Sequence, residues 1–305
     1  MGSPAFAVPS LQALVRAGYQ VTLAVTQPDR PAGRGAKVHQ PDVTVAALEM
    51  GIDIFQPGSL RVPETQERLV AEAADLFVVA AYGKILPSSV LKMPRKGCVN
   101  VHASLLPRWR GPSPIVAAIL AGDSETGVSI MELEPAMDTG PVIASSAFPI
   151  PQGVTAGELE PQLAQLGAEL LVDVLPAWLS GDRLAEPQDE TLATYCSLLK
   201  KSDGYLGGAM TLAEAERAVR AYNPWPTASI EYRGGRLNVW RARAVSGDVP
   251  AAAGTMGVVE RSPAVAFDGG WLVLDEVQKT GGKRMSGQAF LNGERGTLPE
   301  RVGLA

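Results

Sequence analysis

Asn100 and His102 stand two residues apart in the run Cys98-Val99-Asn100-Val101-His102. In an extended strand, positions i and i+2 face the same way, so the two polar side chains share one face. An amide beside an imidazole suits acyl transfer. The amide can donate to an oxygen that gains negative charge, and the imidazole can move a proton near neutral pH. On spacing alone, the pair is also what two satisfied polar residues at the end of a strand look like. Other chemistries are poorly supplied. Two histidines, His39 and His102, and two scattered cysteines, Cys98 and Cys196, show no metal-ligand spacing, so no metal is expected. Cys98 has no activating partner and reads as buried and inert. His39 reads as exposed or as a phosphate contact.

The elements that must position this pair follow from the wider pattern. The 305 residues are enough for two domains, and 46% hydrophobic with 19% charged residues describes a globular chain. No run of eighteen apolar residues appears and no basic-then-apolar leader opens the chain, so neither a membrane span nor a secretory signal is expected. The two cysteines suit a reducing compartment, and a cytoplasmic location is expected. Strand-like runs at Gln20 to Thr26, Leu76 to Ala81, Cys98 to Val101 and Val128 to Met131 alternate with helical stretches at Pro9 to Ala17, Glu64 to Ala74 and Val154 to Leu179. Such alternation predicts an α/β domain with a doubly wound parallel sheet, whose carboxyl edge is where open sheets bind ligands. The opening Met1-Gly2-Ser3-Pro4 is a turn that should follow a central strand, and none precedes it. The expectation is a start further upstream, because a lost central strand would leave its neighbours unpaired.

The polar stretch 182–200 reads as a linker between a domain over 1–181 and a second over 201–305. In the second, a short helix over Leu212 to Ala221 is followed by strand-like runs at Ala228 to Tyr232, Arg236 to Trp240, Gly257 to Val259 and Trp271 to Val277. The pairs Gly234-Gly235 and Gly269-Gly270 are placed as hairpin turns. This predicts a small β-barrel of the OB type. Net charge is −5, which argues against a generic nucleic-acid binder. From Lys201 onward, however, the chain carries 13 basic and 11 acidic residues, against 14 and 21 before it.

The run Asn100 to Gly111, NVHASLLPRWRG, resembles the signature of the folate-dependent formyltransferases. Membership implies a Rossmann-like catalytic domain, and it implies that Asn100 and His102 flank the transferred formyl group. The family's third catalytic group is the Asp of a Met-Asp-x-Gly element, which Met137-Asp138-Thr139-Gly140 matches, so Asp138 joins the pair. The resemblance further implies 10-formyltetrahydrofolate as the formyl donor. That reduced folate would be held by Ser104, Leu105, Leu106 and Pro107 and by the Tyr82-Gly83 loop. Within the family, the Thr26 to Gly35 loop, Gln188-Asp189-Glu190-Thr191 and Arg220 to Ala228 are similar to members that act on initiator methionyl-tRNA. That implies formylation of the methionine amino group, a C-terminal domain that binds tRNA, and contacts from Arg30, Arg34, Lys37, Arg233 and Arg236. Cations on a Pro/Gly-rich loop or an OB-type face suit an RNA backbone, and they also describe an ordinary solvated surface.

A monomer is expected. The alternatives are a formyltransferase for a nucleotide-linked amino sugar and a non-catalytic folate- or RNA-binding module. Two departures stand out: Ala103 where the family often has Gly, and Gly204-Tyr205-Leu206-Gly207 in place of Gly-x-Ile-Asp-Trp. Trp225, between Pro224 and Pro226, is expected to pack at the domain junction.

Overall fold

The computed structural model describes residues 1–32, 37–248, 252–294 and 300–304. They cluster into two compact units: Met1–Pro114 with Glu125–Pro149 and Glu160–Ser197, and Ile115–Ser124 with Ile150–Leu159 and Leu198–Ala305. The strands are β1 (Ala24–Val25), β2 (Arg30–Ala32), β3 (Lys37–His39), β4 (Ile54–Phe55), β5 (Phe77–Val79), β6 (Cys98–His102), β7 (Glu125–Glu132) and β8 (Val142–Pro149). They continue with β9 (Ala228–Tyr232), β10 (Gly235–Ser246), β11 (Thr255–Val259), β12 (Ser262–Phe267), β13 (Gly270–Lys279), β14 (Met285–Ser286) and β15 (Glu300–Arg301). The helices are α1 (Val8–Arg16), α2 (Asp42–Glu49), α3 (Pro63–Ala71), α4 (Ser88–Leu91), α5 (Pro114–Ala121), α6 (Ala156–Ser180), α7 (Leu212–Ala221) and α8 (Gly287–Gly293).

In the first unit β5-β6-β7-β8 form one sheet. The sheet is mixed where the sequence predicts a parallel one. β5 and β6 run parallel, while β6 with β7 and β7 with β8 are antiparallel. The return from β7 to β8 has no crossover helix, and so short a connection can only reverse the chain. β6 carries the alternation read from its sequence. Val99 and Val101 lie on one face, where Gly167 lets α6 approach Val101 and Val128 closely. Asn100 and His102 are left for the other face. Among the described residues α6 is long and apolar enough to cross a membrane. Its Leu163, Ala168, Leu171 and Leu175 are nevertheless buried in the protein core, each leucine contributing about 1.5–3 kcal/mol.

Gln20 to Thr26 pairs only at Ala24–Val25, parallel to β4. Beside it Met1 and Gly2 act as a two-residue strand. The Gly2 N–H donates to Val25 O, the Ala80 N–H donates to Met1 O, and Gly2 bridges Ala80 in parallel. The Met1 amine donates to Val78 O, and burial lowers it to about 6. A cavity of about 450 Å³, lined by Gly2, Leu11, Val21, Leu23, Phe77 and Leu175 among others, adjoins this pairing. Val21 and Leu23 line this space, and Leu23 also packs against the core cluster of Val25, Phe77 and Val79.

The second unit holds one sheet in the order β15-β11-β12-β13-β10-β9, with β14 on β13. Among the described residues the expected small barrel does not close as a continuous ladder: the path is open, and β9 meets the end beyond β15 through one bridge, Glu231 to Gly303. α7 falls on the expected residues because Thr211 and Glu214 form a reciprocal capping box. Its Leu212, Ala215, Ala218 and Val219 join the buried cluster of Ile230, Val239 and Leu274. Leu206, in the segment that departs from the family pattern, is fully buried in the same cluster. Trp225 is 53% exposed instead of packed; the prolines at 224 and 226 fix its backbone in the turn before β9 but do not determine what its ring meets.

Candidate active site

β6 brings Asn100 and His102 to one sheet face, paired with Met131 and Ser129 of β7. His102 is 6% exposed. Its Nε2 lies 3.0 Å from the Trp109 carbonyl, and a carbonyl only accepts, so Nε2 donates. That bond leaves Nδ1 as the basic nitrogen of the neutral ring, and Nδ1 faces Asp138 Oδ1 at 3.9 Å. A proton taken up on Nδ1 sits opposite a carboxylate, the arrangement that stabilises an imidazolium. Asn100 is half-buried, and among the described residues its side-chain amide has no hydrogen-bond partner. Its donors are available for an acceptor from outside.

Asp138 reaches this place through an unusual backbone. It adopts φ +54°, a left-handed conformation that Asp tolerates better than most residues. Its Oδ2 accepts from the Gly111 N–H at 2.8 Å. The glycines around it answer to close approaches: a Cβ on Gly140 would lie 1.9 Å from Glu132 O, and one on Gly111 would lie 2.2 Å from Cys196 O. Motif positions 111 and 140 thus accept only glycine for steric reasons.

The Ser104 to Pro107 loop is built around β7. Ser129 Oγ donates to Ser104 O and accepts from the Leu106 N–H, while Ser104 Oγ donates to Arg108 O. Leu105 and Leu106 remain half-buried, Leu105 against Gly127. Tyr82 has its side chain in the core cluster with Val25 and Val79, and burial pushes its hydroxyl up to about 12. What the Tyr82-Gly83 turn offers is backbone: the Tyr82 carbonyl accepts from Gln27 Nε2, and Gly83 is exposed with φ +75°.

The expected RNA contacts fall in both units. Arg30 is exposed at the start of the β2-β3 hairpin and reaches Gln27, and Lys37 is in β3; Arg34 lies outside the described residues. In the second unit Arg233, at the β9-β10 turn, pairs with Glu294 at 2.9 Å and lies over the Tyr232 ring. Arg236 stacks on Tyr205 and donates to the Pro226 and Thr227 carbonyls. Arg241 faces Glu158, and Arg243 contacts Glu260 and Asp275. Cys98 is buried, and burial pushes its thiol up to about 12, which fits an inert role. Among the described residues no group of three His, Cys, Asp or Glu is placed to hold a metal.

The sequence reading gave no role to Arg110, which is fully buried. Its Nε donates to Gln188 Oε1, and its two terminal nitrogens grip Glu190. No local signal separated it from Arg108, two residues earlier in the same motif and exposed. Its partners lie about eighty residues away, beyond reach of any spacing rule.

Residues 1–175 match the family model described as "Formyl transferase", and residues 198–295 match "Formyl transferase, C-terminal domain". A protein named methionyl-tRNA formyltransferase from Methylobacillus flagellatus is 47% identical over 293 residues, covering 96% of this chain and 94% of the relative. One of the same name from Methylococcus capsulatus is 47% identical over 292 residues, covering 95% and 94%. Among solved structures, an N-formyltransferase from Helicobacter canadensis in complex with folinic acid and dTDP-3-aminofucose superposes with a TM-score of 0.67. It is 17% identical and covers 91% of this chain and 97% of that one, a likeness of fold.

Proposed function

This chain belongs to the formyl transferase family, and we propose that it moves the formyl group of 10-formyltetrahydrofolate to the amino group of methionine on initiator methionyl-tRNA. The product is N-formylmethionyl-tRNA. One observation carries the reading: the Asn100 amide, unpartnered among the described residues, shares a strand face with His102, whose Nδ1 is aimed at Asp138. Near-complete coverage by relatives named for that reaction supports the acceptor.

The residues fit a folate carrying a formyl carbonyl, because an open amide donor, a basic nitrogen and a carboxylate are what such a carbonyl needs. The folate supplies an activated one-carbon unit at the formyl oxidation level. Asn100 donates to the formyl oxygen as charge builds on it, an interaction worth about 10²–10³ in rate. His102 Nδ1 accepts a proton from the attacking amine and returns it to the departing nitrogen, while Asp138 stabilises the charged ring. The methionyl amine, with a reference pKa of roughly 7.7–8.0, is partly neutral at cellular pH. No side chain need form a bond to the formyl carbon.

In this reading residues 1–181 bind the folate, through Ser104, Leu105, Leu106, Pro107 and the Tyr82-Gly83 backbone. Residues 201–305, read as a domain of OB-like type, bind tRNA. Arg30, Arg34, Lys37, Arg233 and Arg236 are the proposed phosphate contacts, and the enzyme acts as a cytoplasmic monomer. The test is direct. Purified protein, 10-formyltetrahydrofolate and methionyl initiator tRNA are mixed, and the released amino acid is weighed by mass spectrometry. Formylmethionine is the expected product. Formylation of a nucleotide-linked amino sugar instead, with none on methionine, would overturn the reading.

A further inference from the structure

The segment 186–196 lies between the two stretches matched by the family models, and its sequence reads as linker. It is hydrogen-bonded into the first unit. Glu186 bridges Val142, and Tyr195 bridges Arg110. Thr194 Oγ1 accepts from the Trp109 N–H at 2.9 Å, Thr194 O accepts from the Arg110 N–H at 2.9 Å, and the Cys196 N–H donates to Arg110 O at 2.8 Å. The three residues it clamps, Trp109, Arg110 and Gly111, touch every acid-base group of the site. The Trp109 carbonyl holds His102 Nε2, and the Gly111 N–H holds the Asp138 carboxylate. The Arg110 side chain holds Gln188. Gln188 Nε2 in turn donates to the main-chain carbonyls on both sides of Thr139, those of Asp138 at 2.9 Å and Gly140 at 2.6 Å.

We infer that Gln188, oriented by the buried Arg110 guanidinium that Glu190 holds from the surface, is a positioning residue that holds the left-handed Asp138 turn so that its carboxylate faces His102. The inference rests on the transfer reading above for its kinetic arm only. The chemistry of the cluster favours orientation over stability. A fully buried guanidinium is costly to desolvate and seldom raises stability above an apolar replacement. Its planar fork does fix geometry, bidentate to Glu190 with a third bond to Gln188 and a fourth to Tyr195. With its oxygen held by Arg110, Gln188 can present only its NH₂ to the turn, and that NH₂ meets two carbonyls.

Gln188→Leu removes both donors at similar volume. The expected result is a loss of kcat of about tenfold to a hundredfold with both KM values held within about twofold. On an Asp138→Asn background, the same change costs less than about twofold more, because both substitutions disable one carboxylate. His102 is one of only two histidines, so its ring signals can be followed by NMR, with His39→Asn for assignment. At one pH those signals should move in Gln188→Leu in the direction they move in Asp138→Asn. If Gln188→Leu does not fold, Gln188→Glu, which keeps an acceptor for Arg110, carries the same measurements. Losses that multiply, or a His102 signal left at its wild-type position, overturn the inference. Absence of formyl transfer in the wild type refutes the proposed function instead, and the NMR comparison still decides the role of Gln188.

Discussion

The frame around His102 and the β9-β10 hairpin of the second unit treat polar side chains in opposite ways. In the first, backbone groups hold His102 and Asp138 from behind, through the Trp109 carbonyl and the Gly111 N–H, and leave Nδ1, the carboxylate and the Asn100 amide toward one face. In the second, the cations already have partners: Arg233 has Glu294, Arg236 has two carbonyls and the Tyr205 ring, and Arg243 has Glu260 and Asp275. Groups held from behind with one valence open are arranged for chemistry. Groups paired with neighbours must exchange partners before they grip a phosphate, so their net return is small.

The most severe test of this contrast removes the open valences. Asn100→Ala or His102→Ala is expected to lower kcat by about 10²–10³ while folate affinity stays near wild type; single-turnover formyl transfer and folate titration measure the two. Near-normal turnover would show that the open amide and ring are not the reacting groups. Gly140→Ala comes next, because its Cβ would collide with main-chain Glu132 O. A loss of about 1–3 kcal/mol is expected in the denaturant midpoint, together with a fall in kcat as the Asp138 turn shifts. An unchanged midpoint would mean the turn yields easily and does not hold the carboxylate.

The paired cations predict a gentler response. Arg233→Ala should reduce the salt slope of tRNA binding by less than about one phosphate contact, since Glu294 already offsets its charge. A full unit lost in binding measured across salt concentrations would break the comparison. The smallest effect concerns acid. Arg110 holds the Glu190 carboxyl below its ordinary 4.5, so the stability from this pair is present above 4.5 and fades as pH falls through the lower folded-state value. Glu190→Gln should flatten the pH dependence of unfolding in that acid window and leave it unchanged near neutrality.

Much of this was legible along the chain. The Val-x-Val alternation around Asn100 and His102 predicted which side chains share a face, and β6 obeys it. The helix read over Leu212 to Ala221 is α7 to the residue, and the two glycine pairs marked the turns that join β9 to β10 and β12 to β13. The sheet direction was less legible. Val128 to Met131 reads as a buried strand, but whether it runs with or against β6 depends on a pairing that no local pattern encodes. The exposure of Trp225 is illegible for a related reason, because flanking prolines fix a backbone but not what lies beside it.

What the amino-acid sequence determined by itself was therefore local: strand faces, the span of α7, turns that need glycine, and a motif close enough to its family to propose the reacting groups. Only the tertiary structure decided that Asp138, 36 residues beyond His102, faces its Nδ1, and that a stretch reading as linker supplies the clamp behind them. The physical reason is range. Periodicity and capping act over a few residues, whereas the tautomer of His102 and the aim of Asp138 are set by carbonyls and N–H groups that only chain folding brings within 3 Å.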